Sequence, residues 1–120
     1  MGRIIHFEIP SDSPEKLTSF YTKLFGWTFQ KYGDMEYWLA GTGDKDKPGI
    51  DGAITQRTEN VPCTVNTIEV DNIDQARKAI PQHGGQVISE TMDIPDVGKF
   101  AYCKDPEGNN FGILESKGNV

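Results

Sequence analysis

The chain is poor in the residues from which most redox and hydrolytic centres are built. It holds two cysteines, Cys63 and Cys103, and neither lies in a CxxC pair or in zinc-ligand spacing. That removes thiol-redox and structural-zinc readings, and reduced thiols in a cytoplasmic protein are the simplest expectation. It holds two histidines, His6 and His83, and no Ser-His-Asp arrangement goes with them. The glycine-containing stretch GTGDKDKPG at 41–49 lacks the GKS/T ending of a phosphate-cradling loop and reads as a hairpin connection. Positive charge is also in the minority. Lys and Arg number 12 against 18 Asp and Glu, a formal net charge of -6. An acidic chain repels phosphate backbones and anionic membranes, so nucleic acid is not an expected partner, and a cationic ligand is slightly favoured. No apolar run approaches the ~20 residues of a membrane span. The opening MGRIIHFEIP reads as a first strand rather than a signal peptide, and His6 breaks the myristoylation pattern.

A chain of 120 residues suits one domain, 1–120, whose core needs neither disulfide nor metal. Residues 3–9 are rich in β-formers and end at Pro10. Ser11 to Pro14 offer a serine or aspartate cap with proline in the first turn, and Leu17, Phe20, Tyr21, Leu24 and Phe25 follow at helical spacing. Gly26 stops that helix. Strands are expected at 27–32, 35–40 and 49–57, and the polar stretch 58–62 reads as a linker. The order then repeats. A strand at 64–70 is followed by a helix capped by Asp71 or Asn72, limited by Pro81 and ended by Gly84-Gly85. Strands follow at QVISE, KFAYCK and NFGILES, with Met92 to Val97 as a loop and DPEGN as a turn. Module one covers about 1–57 and module two about 63–118. Matching Ile9 to Val70, Gly26 to Gly85 and GAIT (52–55) to GILE (112–115) keeps the offset near 60. The class is α+β: two βαβββ modules whose pairing buries both helix faces.

Two segments carry a family likeness. HFEIPSDSPEKLTSFYTKLFGW resembles the opening of glyoxalase/bleomycin-resistance proteins of the vicinal oxygen chelate type, and DIPDVGKFAYCKDPEGNNFGILES resembles their close. DPEG alone is an ordinary turn. Both segments in order, with the repeat, span nearly the whole chain. The resemblance implies a curved, mixed eight-stranded sheet around a pocket with helices on the outer face. It also implies a homodimer, and up to four ligands to one divalent metal ion on the first, fourth, fifth and eighth strands. There the metal acts as a Lewis acid on two neighbouring substrate oxygens.

Strand alternation puts Ile5, Phe7 and Ile9 on one face of strand one and His6 and Glu8 on the other. The apolar set goes to the helix, so His6 faces the pocket, where the resemblance puts a first ligand. Glu115 matches the last ligand; its plain alternative is a solvated strand-end glutamate. The repeat matches His6 to Thr67 and Glu115 to Thr55, and a neutral hydroxyl is a poor metal ligand. Gln56, one residue from Thr55, would face the wrong way. Two ligands, His6 and Glu115, fall short of the three protein ligands a zinc site wants. His6 can equally hydrogen-bond a threonine or Glu115 as a structural group. On the third strand Trp38 alternates against Tyr37, and either set can line the pocket; Trp38 is taken with His6, Glu8, Thr55, Thr67, Glu69 and Glu115 as the candidate lining. No catalytic residue is assigned. The expected function is a pocket for a small organic molecule, with weak metal binding or none. The alternative is a metal-dependent lyase, isomerase or dioxygenase acting on vicinal oxygens, and a purely structural or partner-binding module has no positive support.

Overall fold

The computed structural model describes residues 2–117; the expected end of module two at 118 lies outside the described residues. The elements run β1 (Ile4–Ser11), α1 (Pro14–Phe25), β2 (Thr28–Lys31), β3 (Tyr37–Gly41), β4 (Gly52–Gln56), β5 (Val65–Glu69), α2 (Ile73–Gln82), β6 (Gln86–Val87), β7 (Met92–Ile94), β8 (Gly98–Lys104) and β9 (Asn110–Ser116). The class is α+β and the βαβββ order occurs twice. One departure is β7, in a segment expected to be loop. Asp96 adopts a left-handed φ of 66°, which closes a tight connection and lets Ile94 pair with Gly98.

The chain divides into two compact units. One is His6–Thr64; the other joins the residues up to Ile5 to those from Val65 onward. The boundary falls just past the expected linker. The first residues leave their own module because backbone amides link them to β5: Gly2 donates to Glu69 O at 3.0 Å, and Glu69 donates to Arg3 O at 2.9 Å.

In the His6–Thr64 unit the strand order is β2-β3-β4-β1, with β1 parallel to β4 and the other pairs antiparallel. β1 runs through Pro10 to Ser11, beyond the expected stop. Ser13 occupies the α1 cap position without a side-chain cap bond; its own N–H donates to Ser11 Oγ at 3.1 Å. Gly26, at φ 75°, ends α1 with its N–H on Thr22 O. Phe7 lies 5.8 Å from Trp27, and Trp27 stacks on Tyr21 of α1 at 4.5 Å. The Phe7 face of the sheet is therefore the one that α1 covers.

In the other unit β5 runs parallel to β9, and β8 lies between β9 and the short β6, with β7 also on β8. Asn72 caps α2, its Oδ1 accepting from Gln75 N at 2.9 Å. Ile73, Ala101, Cys103 and Ile113 form the core beneath α2, with Ile80 and Phe111 packed against it. Burying Ile73 and Ile113 contributes about 1.5–3 kcal/mol each. Pro81 lies next to the last residue of the helix, so its missing N–H removes one bond at the helix end and none from the interior turns.

Candidate functional site

The strand registers sort every candidate residue onto one face or the other. Glu8 pairs with Ala53, and Ala53 with Leu39; Pro10 pairs with Thr55, and Thr55 with Tyr37. Alternation then puts His6, Glu8, Thr55 and Tyr37 on the face turned away from Phe7 and α1. As expected from sequence, His6 and Glu8 share that helix-free face. Tyr37 is the residue that sequence reasoning did not select. Its hydroxyl donates to Glu8 Oε2 at 2.7 Å and lies 2.9 Å from His6 Nε2, which links the two β1 side chains through one bridge from β3. Thr55 Oγ1 donates to Glu36 O at 3.3 Å.

Trp38 requires a correction. It pairs with Ile54, which pairs with Ile9, so it lies on the α1 side of the sheet. There Lys31, its partner across β2, holds its ammonium 5.5 Å from the indole centroid. The phase of β3 follows from its register with β4, which the alternation within β3 alone does not reveal.

Glu115 requires another. In its unit Thr67 pairs with Gly112 and Glu69 with Leu114, so Thr67, Glu69 and Leu114 share one face. Glu115 falls on the opposite one with Ile113, Ala101 and Cys103, beneath α2. Its Oε1 accepts from Ile73 N at 2.8 Å, the first amide of that helix. The cause is a one-residue slip. Glu8 and Glu69 lie 61 residues apart, and so do their partners Ala53 and Leu114. Matching Gly52 to Gly112 uses 60, and a slip of one exchanges the faces of a strand. At the true offset Thr55 corresponds to Ser116, whose Oγ donates to Glu69 Oε2 at 2.7 Å. Thr67 is 1% exposed, and its hydroxyl has no hydrogen-bond partner among the described residues. Beside it Gly112 leaves room for the Phe100 ring, which would lie 2.5 Å from a Cβ at that position.

His6 has its pKa lowered. Burial disfavours the imidazolium most; the carboxylates of Glu8 and then Asp51 oppose that. The group is therefore a neutral imidazole at pH 7, tied through a phenol to a carboxylate that is 4% exposed. Such a chain can hydrogen-bond an oxygenated ligand, and the neighbouring carboxylate would stabilise the ring after it takes a proton. Two shallow surface depressions lie elsewhere. One is beside α1, around Thr22 and Trp27, and the other is around Asp93, Lys99 and Glu115; neither includes His6, Glu8 or Tyr37.

Residues 3–113 match the Glyoxalase/Bleomycin resistance protein/Dioxygenase superfamily. The chain belongs to this superfamily. It is 30% identical over 118 residues to the "Putative glyoxylase CFP32" of Mycobacterium tuberculosis, a match covering 95% of this chain and 44% of that protein. The chain thus spans less than half the length of this mycobacterial relative. A "Glyoxylase-like domain-containing protein" of Didymella fabae is 28% identical over 123 residues, covering 98% and 96% of the two chains. Among solved structures, a variant of Streptomyces coelicolor methylmalonyl-CoA epimerase in complex with 2-nitronate-propionyl-CoA aligns with a TM-score of 0.69 at 14% identity, over 98% of this chain and 99% of that one. A hypothetical protein of Bacillus halodurans C-125 gives 0.70 at 14% identity, over 99% and 97%. At those identities the likeness is one of fold.

A divalent metal is usual in this superfamily, and the donor set here does not fit one. His6 has one ring nitrogen, Nε2, engaged by Tyr37 and so offers a single donor through Nδ1, and Glu115 serves α2. Thr67 and Thr55 contribute neutral hydroxyls. Among the described residues no three His, Cys, Asp or Glu side chains gather closely enough to hold an ion. Also among them, no helix is long and apolar enough to cross a membrane.

Proposed function

We propose that this chain binds a small polar organic molecule on the helix-free face of its His6–Thr64 unit, holding it by hydrogen bonds around His6, Tyr37 and Glu8 rather than through a resident metal. The observation that carries this reading is the linked chain itself: 2.9 Å from His6 Nε2 to Tyr37 Oη and 2.7 Å from Tyr37 Oη to Glu8 Oε2. Polar groups set on strands of one sheet need little reorganisation on binding, and a few convergent polar groups are what a small-molecule site requires. Membership of the glyoxalase superfamily and relatives named as glyoxylases support an oxygenated ligand. The experiment is amide and side-chain NMR shift mapping with a library of neutral hydroxyl- and carbonyl-bearing fragments. The proposal expects responses centred on His6, Tyr37 and Thr55 that weaken severalfold in Tyr37→Phe; fragments that bind only elsewhere would overturn it.

The same reading includes a homodimer and a reducing, cytoplasmic setting. No residue of α1 is buried, and Phe20, Leu24 and Phe25 are 52%, 61% and 61% exposed. An apolar helix stripe of this kind is what self-association would cover. Both cysteines are free. Light scattering is expected to give a dimer at micromolar concentration and a monomer for Leu24→Glu; a monomeric wild type would contradict the dimer.

A further inference from the structure

From the polarity of the hydrogen-bond chain we infer that the His6 site selects ligands that donate a hydrogen bond and are neutral or cationic, and that it discriminates against carboxylates. The inference rests on the proposed binding face and names the chemical class that face takes.

A tyrosine hydroxyl has a single hydrogen, and that of Tyr37 goes to Glu8 Oε2 at 2.7 Å. It has none left for His6. The 2.9 Å contact with Nε2 is therefore a bond in which the imidazole N–H donates to the tyrosine oxygen. A neutral imidazole carries one N–H, so with the proton on Nε2 the Nδ1 lone pair is an acceptor. Nδ1 has no hydrogen-bond partner among the described residues, although the ring is half-buried on strand β1. The site therefore offers a ligand an acceptor whose tautomer is fixed from behind by Tyr37 and Glu8.

Charge points the same way. The charged groups that act on His6 are two carboxylates, Glu8 on its own strand and Asp51 immediately before β4. Asp51 is held in place by Thr42, whose N–H donates to Oδ1 at 2.8 Å. The cations of this unit that have a described partner are engaged elsewhere: Lys31 lies over Trp38 on the α1 side, and Arg57 pairs with Asp12 at 3.2 Å. A carboxylate ligand would meet an acceptor nitrogen and two like charges. A hydroxyl or ammonium group would meet an acceptor and, for the ammonium, a favourable field.

The test uses three probes on one three-carbon scaffold: propane-1,2-diol, 1-amino-2-propanol and lactate. Each is titrated into the wild-type protein labelled with 15N in the histidine ring, at pH 7.5. The inference expects the Nε2–H tautomer in the free protein and loss of that preference in Tyr37→Phe. It also expects the aminoalcohol and the diol to bind at least about tenfold more tightly than lactate, which is about 1.4 kcal/mol. Lactate binding at His6 as tightly as the diol would overturn the ligand class and leave the binding face standing. An Nδ1–H tautomer in the free wild type would do the same. No response at His6 to any of the three, with the Nε2–H tautomer intact, would overturn the class and the proposed face together.

Discussion

Replacing Glu115 by alanine should destabilise the protein through α2, not through any ligand site. In the structure Glu115 Oε1 takes the Ile73 amide at 2.8 Å, and Asn72 Oδ1 takes the Gln75 amide at 2.9 Å. Two of the four amides that a helix start leaves without intrahelical partners are thus satisfied by side chains. A hydrogen bond to a charged group is worth about 1.5–3 kcal/mol, and the negative charge also complements the helix dipole. Ile73, the residue whose amide is held, is 1% exposed, so water cannot readily replace the lost partner. The expected cost of Glu115→Ala is therefore about 2 kcal/mol, and of Glu115→Gln about 1 kcal/mol, since the amide oxygen keeps the bond and loses the charge. With a urea m-value of ~2 kcal/mol/M, the alanine variant should unfold about 1 M earlier with the slope unchanged. Hydrogen exchange at the Ile73 amide should quicken in the same variant. Unchanged urea midpoints in both variants would refute the capping role and reopen Glu115 as a ligand-facing group.

Three further outcomes are expected. Because folding lowers the His6 pKa below 6.5, the unfolded chain binds more protons at mildly acid pH. The His6 contribution to stability is complete above 6.5 and shrinks as pH falls from 6.5 toward the folded value, so His6→Gln should flatten the urea midpoint against pH in that window; a profile as steep as wild type would contradict it. Cys103 is buried, with its thiol pushed up to about 11, whereas Cys63 is exposed, so a thiol reagent at about pH 8 should label one cysteine in the folded protein and two in urea. Gly112→Ala would force its Cβ against the Phe100 ring and should cost about 1–3 kcal/mol by thermal melting, with a wild-type Tm counting against that packing.

The parts of the fold that depend on local chemistry were legible in the sequence. A cap at Asp71 or Asn72, the stop at Gly26 and the helix-free direction of His6 and Glu8 each follow from a few neighbouring residues; the structure has the stop and the direction as expected and puts the cap on Asn72. What depends on register between strands was not. The two glycines that anchored the repeat, Gly52 and Gly112, occupy opposite faces of their sheets for unrelated reasons. Gly52 makes room for Phe7 on the α1 side, and Gly112 makes room for Phe100 on the side away from α2. Aligning them carried Glu115 to the wrong face. The choice between Trp38 and Tyr37 failed for the same kind of reason, because adjacent residues on a strand differ only in phase. The chemistry of one pair held a usable clue: a phenol two strands from a buried carboxylate is a ready partner for it and can accept a second bond, whereas an indole can only donate.

The most direct test of the central claim is the response of His6 to a neutral polar fragment before and after exhaustive dialysis against a chelator. The fragment is one that binds the wild-type face in the shift mapping, and the quantity measured is its dissociation constant from the His6 ring 15N shift. Recognition by His6, Tyr37 and Glu8 alone predicts the same constant within error in both preparations. A response lost after chelation and restored by one equivalent of zinc or nickel would contradict it and make a metal the group that holds the ligand.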